Sequence, residues 1–262
     1  MSNSGVRVTV VTGVPKGEYH TLAKDGLLSP FKLEGTENVF HFLQAGSILG
    51  NDSILLRVVS AGWVPGCGES ASTRQVVLET MTDCPQGEFD FDVTKNGYSL
   101  AWVTLSDKGA AGKREDKSGP LIAKLVSEKL DLAFVQGFII PDDPRQLKGL
   151  LADLALVQRF DLILTTGGTG VGPRDITPEA TLSLIEKRLP GYERAMTEAS
   201  LSKTPHGAIS RAIAGTLSET LIVNMPGSPK AVAECLEPLL PTLKHTLEKL
   251  QGDSADCASL YT

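Results

Sequence analysis

The sequence predicts a small all-β domain over residues 1–97 followed by an α/β domain over residues 98–262. Three observations carry this. The first part is built of short runs rich in β-branched and aromatic residues, broken by Gly, Pro, Asn and Asp. From Tyr98 onward, apolar strand-like runs alternate with amphipathic segments of helical spacing. The chain has 262 residues, 41% of them hydrophobic, which suits two modest folded units and argues against wholesale disorder.

In the first part, the β runs are Val6–Val11, Asn38–Leu43, Ile54–Val59, Gln75–Met81 and Phe89–Val93. Phe89-Asp90-Phe91-Asp92-Val93 alternates at period two, as a half-buried strand does. No segment has the pattern of a helix longer than two turns, so a barrel or sandwich is expected. Gly46-Ser47-Ile48-Leu49-Gly50-Asn51-Asp52 and Ile54–Val59 suit a small barrel module, read as an accessory domain for a related cofactor or a partner.

In the second part, Leu100–Leu105 is a buried-strand candidate ending in Ser106-Asp107. Ser118-Gly119-Pro120 opens a helix, with Ser118 as the expected N-cap and Pro120 in the first turn. Phe134–Ile140 is a strand closed by Pro141-Asp142-Asp143-Pro144, and Leu147, Leu150, Leu151, Leu154 and Val157 stripe the next helix. Asp161–Thr166 is a strand running into a glycine-rich turn, and Thr177-Pro178-Glu179-Ala180 restarts a helix. Thr220–Asn224 is a strand, and Ser228-Pro229-Lys230 caps another helix. Such alternation implies βαβ units and a mostly parallel sheet covered on both faces.

Charge and composition exclude several classes. Lys and Arg total 25 against 31 Asp and Glu, a formal net charge of −6, and no basic run could track a phosphate backbone, so no nucleic acid is expected as partner. No stretch approaches the roughly 20 apolar residues of a membrane span. Val6–Val11 is short, contains Arg7 and Thr9, and runs into Thr12-Gly13-Val14-Pro15-Lys16-Gly17, which reads as strand and turn instead of a signal peptide. A cytoplasmic location is expected. Cys67, Cys84, Cys235 and Cys257 are scattered without CxxC spacing, signalling neither a disulfide scaffold nor a structural zinc site. Cys67, in Pro65-Gly66-Cys67-Gly68-Glu69, has no ligand-spaced His20 or His41 beside it and reads as an idle thiol.

Parallel strands would bring four segments to one sheet edge, where α/β folds bind ligands: Ser106-Asp107, Pro141-Asp142-Asp143, the loop Thr166–Asp175, and Asn224–Lys230. Gly167, Gly168, Gly170 and Gly172 allow backbone N–H groups close to an anion, and a helix N-terminus adds its dipole. Carboxylates near phosphates commonly hold Mg²⁺, and Asp142 and Asp175 are the evident pair. Each element has a plainer alternative. The glycines suit a tight turn, Asp142 and Asp175 suit helix caps, and Lys230 suits a solvated helix face. The loop follows neither the Walker A nor the dinucleotide-fold pattern.

The string Thr165-Thr166-Gly167-Gly168-Thr169-Gly170-Val171-Gly172-Pro173-Arg174-Asp175-Ile176-Thr177-Pro178-Glu179-Ala180-Thr181 is far more specific than its parts. It resembles the signature of the molybdopterin adenylyltransferase family, which includes the gephyrin G domain. Ser106-Asp107 with Asp116-Lys117-Ser118-Gly119, Ile140-Pro141-Asp142-Asp143, and Asn224-Met225-Pro226-Gly227-Ser228-Pro229-Lys230 fall in the family's order. The resemblance spans about residues 98–250 and leaves 1–97 unaccounted for.

The resemblance implies a three-layer α/β fold, commonly a homotrimer. It implies Mg²⁺-dependent attack of the terminal phosphate of molybdopterin on the α-phosphorus of ATP, releasing pyrophosphate. The product would pass to a molybdate-insertion enzyme. On this resemblance, Asp142 and Asp175 match the two functional aspartates. Asp175 is assigned to Mg²⁺, and Asp142 to Mg²⁺ or to orienting the attacking phosphate. Thr166, Gly167, Gly168, Thr169 and Gly170 would cradle phosphate. Ser106 and Asp107 would contact pterin or nucleotide, and Pro226, Gly227, Ser228 and Lys230 the anionic substrate. Two alternatives accompany it: a molybdopterin carrier without turnover, and a nucleotide hydrolase of the competence-associated type on the same fold.

Overall fold

A computed structural model describes residues 5–23, 29–34, 39–65 and 72–253. The chain divides into two compact units, Met1–Ser99 and Leu100–Thr262. The strands β1 (Val6–Val10), β2 (Tyr19–Ala23), β3 (Phe31–Glu34), β4 (Ile48–Gly50), β5 (Leu55–Val64), β6 (Thr73–Thr80) and β7 (Gly87–Thr94) close the first unit into a barrel. Their order around the wall is β1-β3-β2-β6-β5-β4-β7, and closure pairs both sides of every strand. Period-two alternation sends Val6, Val8 and Val10 inward, while Arg7 stays outside and pairs with Asp90 on β7 at 2.8 Å. Phe31, Phe91, Leu22, Leu56 and Leu78 fill the interior.

The expected strand Asn38–Leu43 is corrected. Asn38 lies outside the described residues, and Val39–Phe42 forms a helical turn, α1. A strand would put Phe40 and Phe42 on one face, yet Phe40 and Leu43 are buried while Phe42 is 63% exposed. The i, i+3 spacing of the buried pair is helical, and burial overrides the β preference of the aromatics. β2, β3 and β4 go beyond the strands expected from sequence. β5 continues past Val59 because a bulge between Val58 and Ser60 shifts its alternation. Cys67 and Cys257 lie outside the described residues, as does the side chain of His41.

The second unit carries the sheet β11-β12-β13-β10-β8-β9. It comprises β8 (Tyr98–Leu105), β9 (Leu132–Ile140), β10 (Leu162–Thr166), β11 (Lys187–Arg188), β12 (Ala214–Leu217) and β13 (Thr220–Met225). β8, β10 and β13 run parallel, with Trp102 opposite Leu164 and Leu164 opposite Val223. β12 and β11 extend the β13 side antiparallel. The helices are α2 (Asp107–Ala110), α3 (Ser118–Ser127), α4 (Pro144–Ala152), α5 (Thr177–Leu182), α6 (Pro190–Lys203), α7 (Pro229–Leu236) and α8 (Leu240–Leu250). All of β10 and β13 is buried, so their sequences show no apolar–polar alternation, and the polar members Thr165, Thr166, Thr220 and Asn224 are buried with the apolar ones.

The expected cap of α3 is corrected. Ser118 is the first helical residue, and the Asp116 carboxylate accepts from the Ser118 and Gly119 N–H groups at 3.0 and 3.2 Å. Among the described residues, no helix is long and apolar enough to cross a membrane.

Candidate functional site

The C-terminal ends of β8 and β9 meet. The Ser106 N–H donates to the Ile140 carbonyl at 2.9 Å. One residue further, the two strand-end aspartates exchange bonds: Asp107 N–H donates to Asp142 Oδ2 at 3.3 Å, and Asp142 N–H donates to Asp107 Oδ1 at 3.2 Å. Neither serves as the cap of its following helix. Ser106 Oγ accepts from Gly109 N–H at the start of α2, and Asp143 caps α4 by accepting from Arg145 and Gln146 N–H. Asp142 is thus bonded to Asp107 across the strand ends and not to the start of α4.

The glycine loop reaches the same edge from β10. Gly167 and Gly168 have φ of +100° and +64°. A Cβ at Gly167 would lie 2.7 Å from the Leu105 carbonyl oxygen, and one at Gly168 2.5 Å from Thr177 Oγ1, so only glycine fits both the conformation and the space. Thr177 Oγ1 donates to the Gly167 carbonyl at 2.8 Å, and Thr166 Oγ1 donates to the Pro226 carbonyl at 2.6 Å. Thr169 is buried, and Gly227 packs where a side chain would meet Gly167 Cα at 3.4 Å. Asp175 does not cap α5. Its Oδ2 turns back into the loop and accepts from Gly172 N–H at 2.7 Å, with Gly170 leaving room for it.

Arg174 joins the loop to the strand ends through an ion pair with Asp107. That guanidinium holds the Asp107 carboxyl below the ordinary carboxylate range. Asp142 is displaced upward, first by burial, with the negative charges of Asp107 and Asp175 adding to it, while the hydrogen bond from Asp107 opposes. A half-buried carboxylate crowded by two others is one that a cation would relieve.

Two concavities flank the loop. One, of about 610 Å³, is lined by Thr104, Ser106, Ser118, Thr166, Gly167 and Ser228, among others, with Arg114 and Lys117 at its wall. It is hydroxyl-rich, and the N-termini of α3 and α7 open on it, a setting for an anion. Ser228 caps α7 by accepting from Ala231 N–H, and Ser118 Oγ donates to the Gly227 carbonyl at 2.9 Å. The other, of about 540 Å³, holds Asp175 with Lys148, Glu179 and Arg211. Lys230 lines neither; its side chain is 86% exposed and lies 3.9 Å from Glu234.

Among the described residues, no group of three or more His, Cys, Asp or Glu is placed to hold a metal ion. A cation here would draw on one or two carboxylates, ligand phosphates and water, which is the habit of Mg²⁺. Asp142 and Asp175 offer hard oxygen donors of the right kind.

Of the wall residues Thr104 and Asp116, joined at 2.7 Å, Asp116 falls in a family-order segment without a role assigned to it, and sequence reasoning does not single out Thr104. Arg211, which bonds the loop from a distant turn, has no local signal at all.

A family model described as a probable molybdopterin binding domain matches residues 101–245. The chain belongs to this family. The molybdopterin-binding domain begins one strand residue past the boundary between the two units, so the barrel lies outside the match. Among curated relatives, "Molybdopterin adenylyltransferase" of Helicobacter pylori is 37% identical over 153 residues, covering 58% of this chain and 86% of that protein. "Molybdenum cofactor synthesis protein cinnamon" of Drosophila melanogaster is 38% identical over 151 residues, and there the match spans 58% of this chain and only a quarter (25%) of the relative. Among solved structures, the molybdopterin biosynthesis enzyme MoaB of Thermus thermophilus is 41% identical, with a TM-score of 0.55, covering 60% of this chain and 98% of its own. The α/β unit is thus a molybdopterin-binding domain of the kind found in molybdenum cofactor biosynthesis proteins.

Proposed function

We propose that the α/β unit adenylylates molybdopterin: the terminal phosphate of molybdopterin attacks the α-phosphorus of ATP, the bond to the β-phosphate oxygen breaks, and pyrophosphate leaves. The observation that carries this is the bond exchange of Asp107 and Asp142 at the strand ends, tied through Arg174 to the glycine loop that carries Asp175, with an anion-suited cavity on one side of the loop and the Asp175 cleft on the other. The similarity to proteins named molybdopterin adenylyltransferase supports the same reading. Transfer of this kind asks for positioning and charge neutralisation more than covalent chemistry from the protein.

Asp175 and Asp142 would hold Mg²⁺, which when bound supplies charge neutralisation at the phosphate oxygens. The hydroxyls of Ser106, Thr166 and Ser228 and the α7 N-terminus would orient the molybdopterin phosphate. The backbone of Gly167–Gly170 would approach the triphosphate. Arg174 would exchange its Asp107 partner for the phosphate charge.

The test is pyrophosphate release from ATP and Mg²⁺, with and without purified molybdopterin, on wild type and Asp175→Asn. Release that needs molybdopterin and is lost in the variant is expected. Tight molybdopterin binding without release would make the unit a carrier. Phosphate or base release from nucleotide alone would make it a hydrolase.

A further inference from the structure

We infer that Arg211 is a positioning residue that clamps both ends of the glycine loop and so aims the Asp175 carboxylate; this deepens the adenylylation reading and rests on it for its catalytic consequence. Arg211 stands in the turn before β12, far along the chain from the loop. Its backbone N–H donates to the Thr169 carbonyl at 2.9 Å. Its Nε donates to the Gly170 carbonyl and its Nη2 to the Asp175 carbonyl, both at 2.7 Å. The remaining arm pairs with Glu179 on α5. One residue thus grips the loop before and after the segment that turns Asp175 inward, and ties it to the following helix.

The chemistry favours arginine specifically. Its planar fork presents several donors in fixed directions from three nitrogens, whereas the three donors of lysine radiate from one nitrogen and cannot span acceptors spread over Gly170, Asp175 and Glu179. The side chain is 37% exposed and lines the Asp175 cleft, so its contacts are not part of a packed core. Gly170 and Gly172 lack side chains that could brace the loop, and the clamp supplies the missing rigidity from outside.

The experiment compares full-length wild type, Arg211→Lys and Arg211→Met by amide hydrogen exchange, thermal melting and Mg²⁺-dependent pyrophosphate release. The Gly172 and Asp175 amides are hydrogen-bonded within the clamped segment. In both variants they should exchange about tenfold faster, with exchange in β8, β10 and β13 and the melting temperature unchanged. The Mg²⁺ concentration for half-maximal release should rise about tenfold while the KM for molybdopterin holds. Unchanged exchange at Gly172 and Asp175 overturns the clamp, as does exchange that quickens equally in the sheet strands. If the methionine variant melts early, the lysine variant, which keeps the charge beside Glu179, decides. If wild type releases no pyrophosphate, the adenylylation reading fails, while the exchange comparison still decides the clamp.

Discussion

Replacing Gly170 with alanine should separate the position of Asp175 from the stability of the fold. Gly170 is not in the left-handed region, so alanine fits its backbone. The added Cβ, however, would lie 2.7 Å from Asp175 Oδ2 and 3.4 Å from its Cγ. The carboxylate is the movable partner and must swing away by several tenths of an ångström. That breaks the 2.7 Å bond it accepts from Gly172 N–H. A bond to a charged acceptor contributes about 1.5–3 kcal/mol, and the exposure of this one favours the lower end. About 1.5 kcal/mol is roughly a tenfold loss in the population that has Asp175 correctly aimed.

The assay is the rate of pyrophosphate release against Mg²⁺ concentration, beside a thermal melt. A drop of about tenfold is expected with melting lowered by only about 1–4 °C, since the alanine offsets part of the lost bond by lowering the entropy of the unfolded chain. Gly191→Ala is the control, because a Cβ there meets nothing within 4 Å and its φ is not positive. Wild-type turnover and Mg²⁺ dependence in a folded Gly170→Ala protein would refute the assignment of Asp175.

Gly137→Ala should lower the melting temperature, because its Cβ would fall 1.9 Å from Trp102 Cζ2, and the ring has no room to retreat toward Gly119, where an added Cβ would likewise fall 2.2 Å from Cε3. Overpacking of about 2 kcal/mol corresponds to roughly 4–8 °C in a unit of this size, and a melt within a degree of wild type would contradict it. Asp142→Asn tests the raised carboxyl. An acid whose folded pKa is raised binds more protons folded than unfolded, so it costs stability above that pKa and ceases to cost it as pH falls below the unfolded value. The variant should therefore melt higher than wild type at neutral pH, with the gap closing as pH falls through the carboxylate range; a gap independent of pH would count against it. Cys84 is buried and its thiol is pushed up to about 11, so iodoacetamide at pH 8 should leave it unlabelled by peptide mapping until the barrel unfolds.

Local pattern was enough for much of this protein. Val6–Val10 and Phe89–Val93 reveal strands because each has one buried and one solvent face, and β10 and β13 do so because both faces are buried. Ser228 reads as a helix cap because capping depends on residues three apart in sequence. The glycine string and the three segments that follow its family order carried the domain's identity, since that information is chemical type in fixed order.

Other features are decided by packing between distant residues. Val39–Phe42 turns helical because Phe40 and Leu43 must both reach the barrel interior, which no local preference encodes. Local pattern offers Asp142 as a metal ligand or a helix cap, and only the fold separates its role from that of Asp143. The bond exchange with Asp107, 35 residues away, places one at the meeting of the strand ends while the other caps α4. Arg211 touches a loop some 40 residues earlier because β12, which it precedes, pairs with β13 and β13 lies beside β10. Sequence alone determined which residue types could form a phosphate and Mg²⁺ site and in which strand-end segments. Tertiary structure decided which carboxylates face one another and what holds the loop, because charge, burial and hydrogen bonding act through space and across residues that the chain keeps far apart.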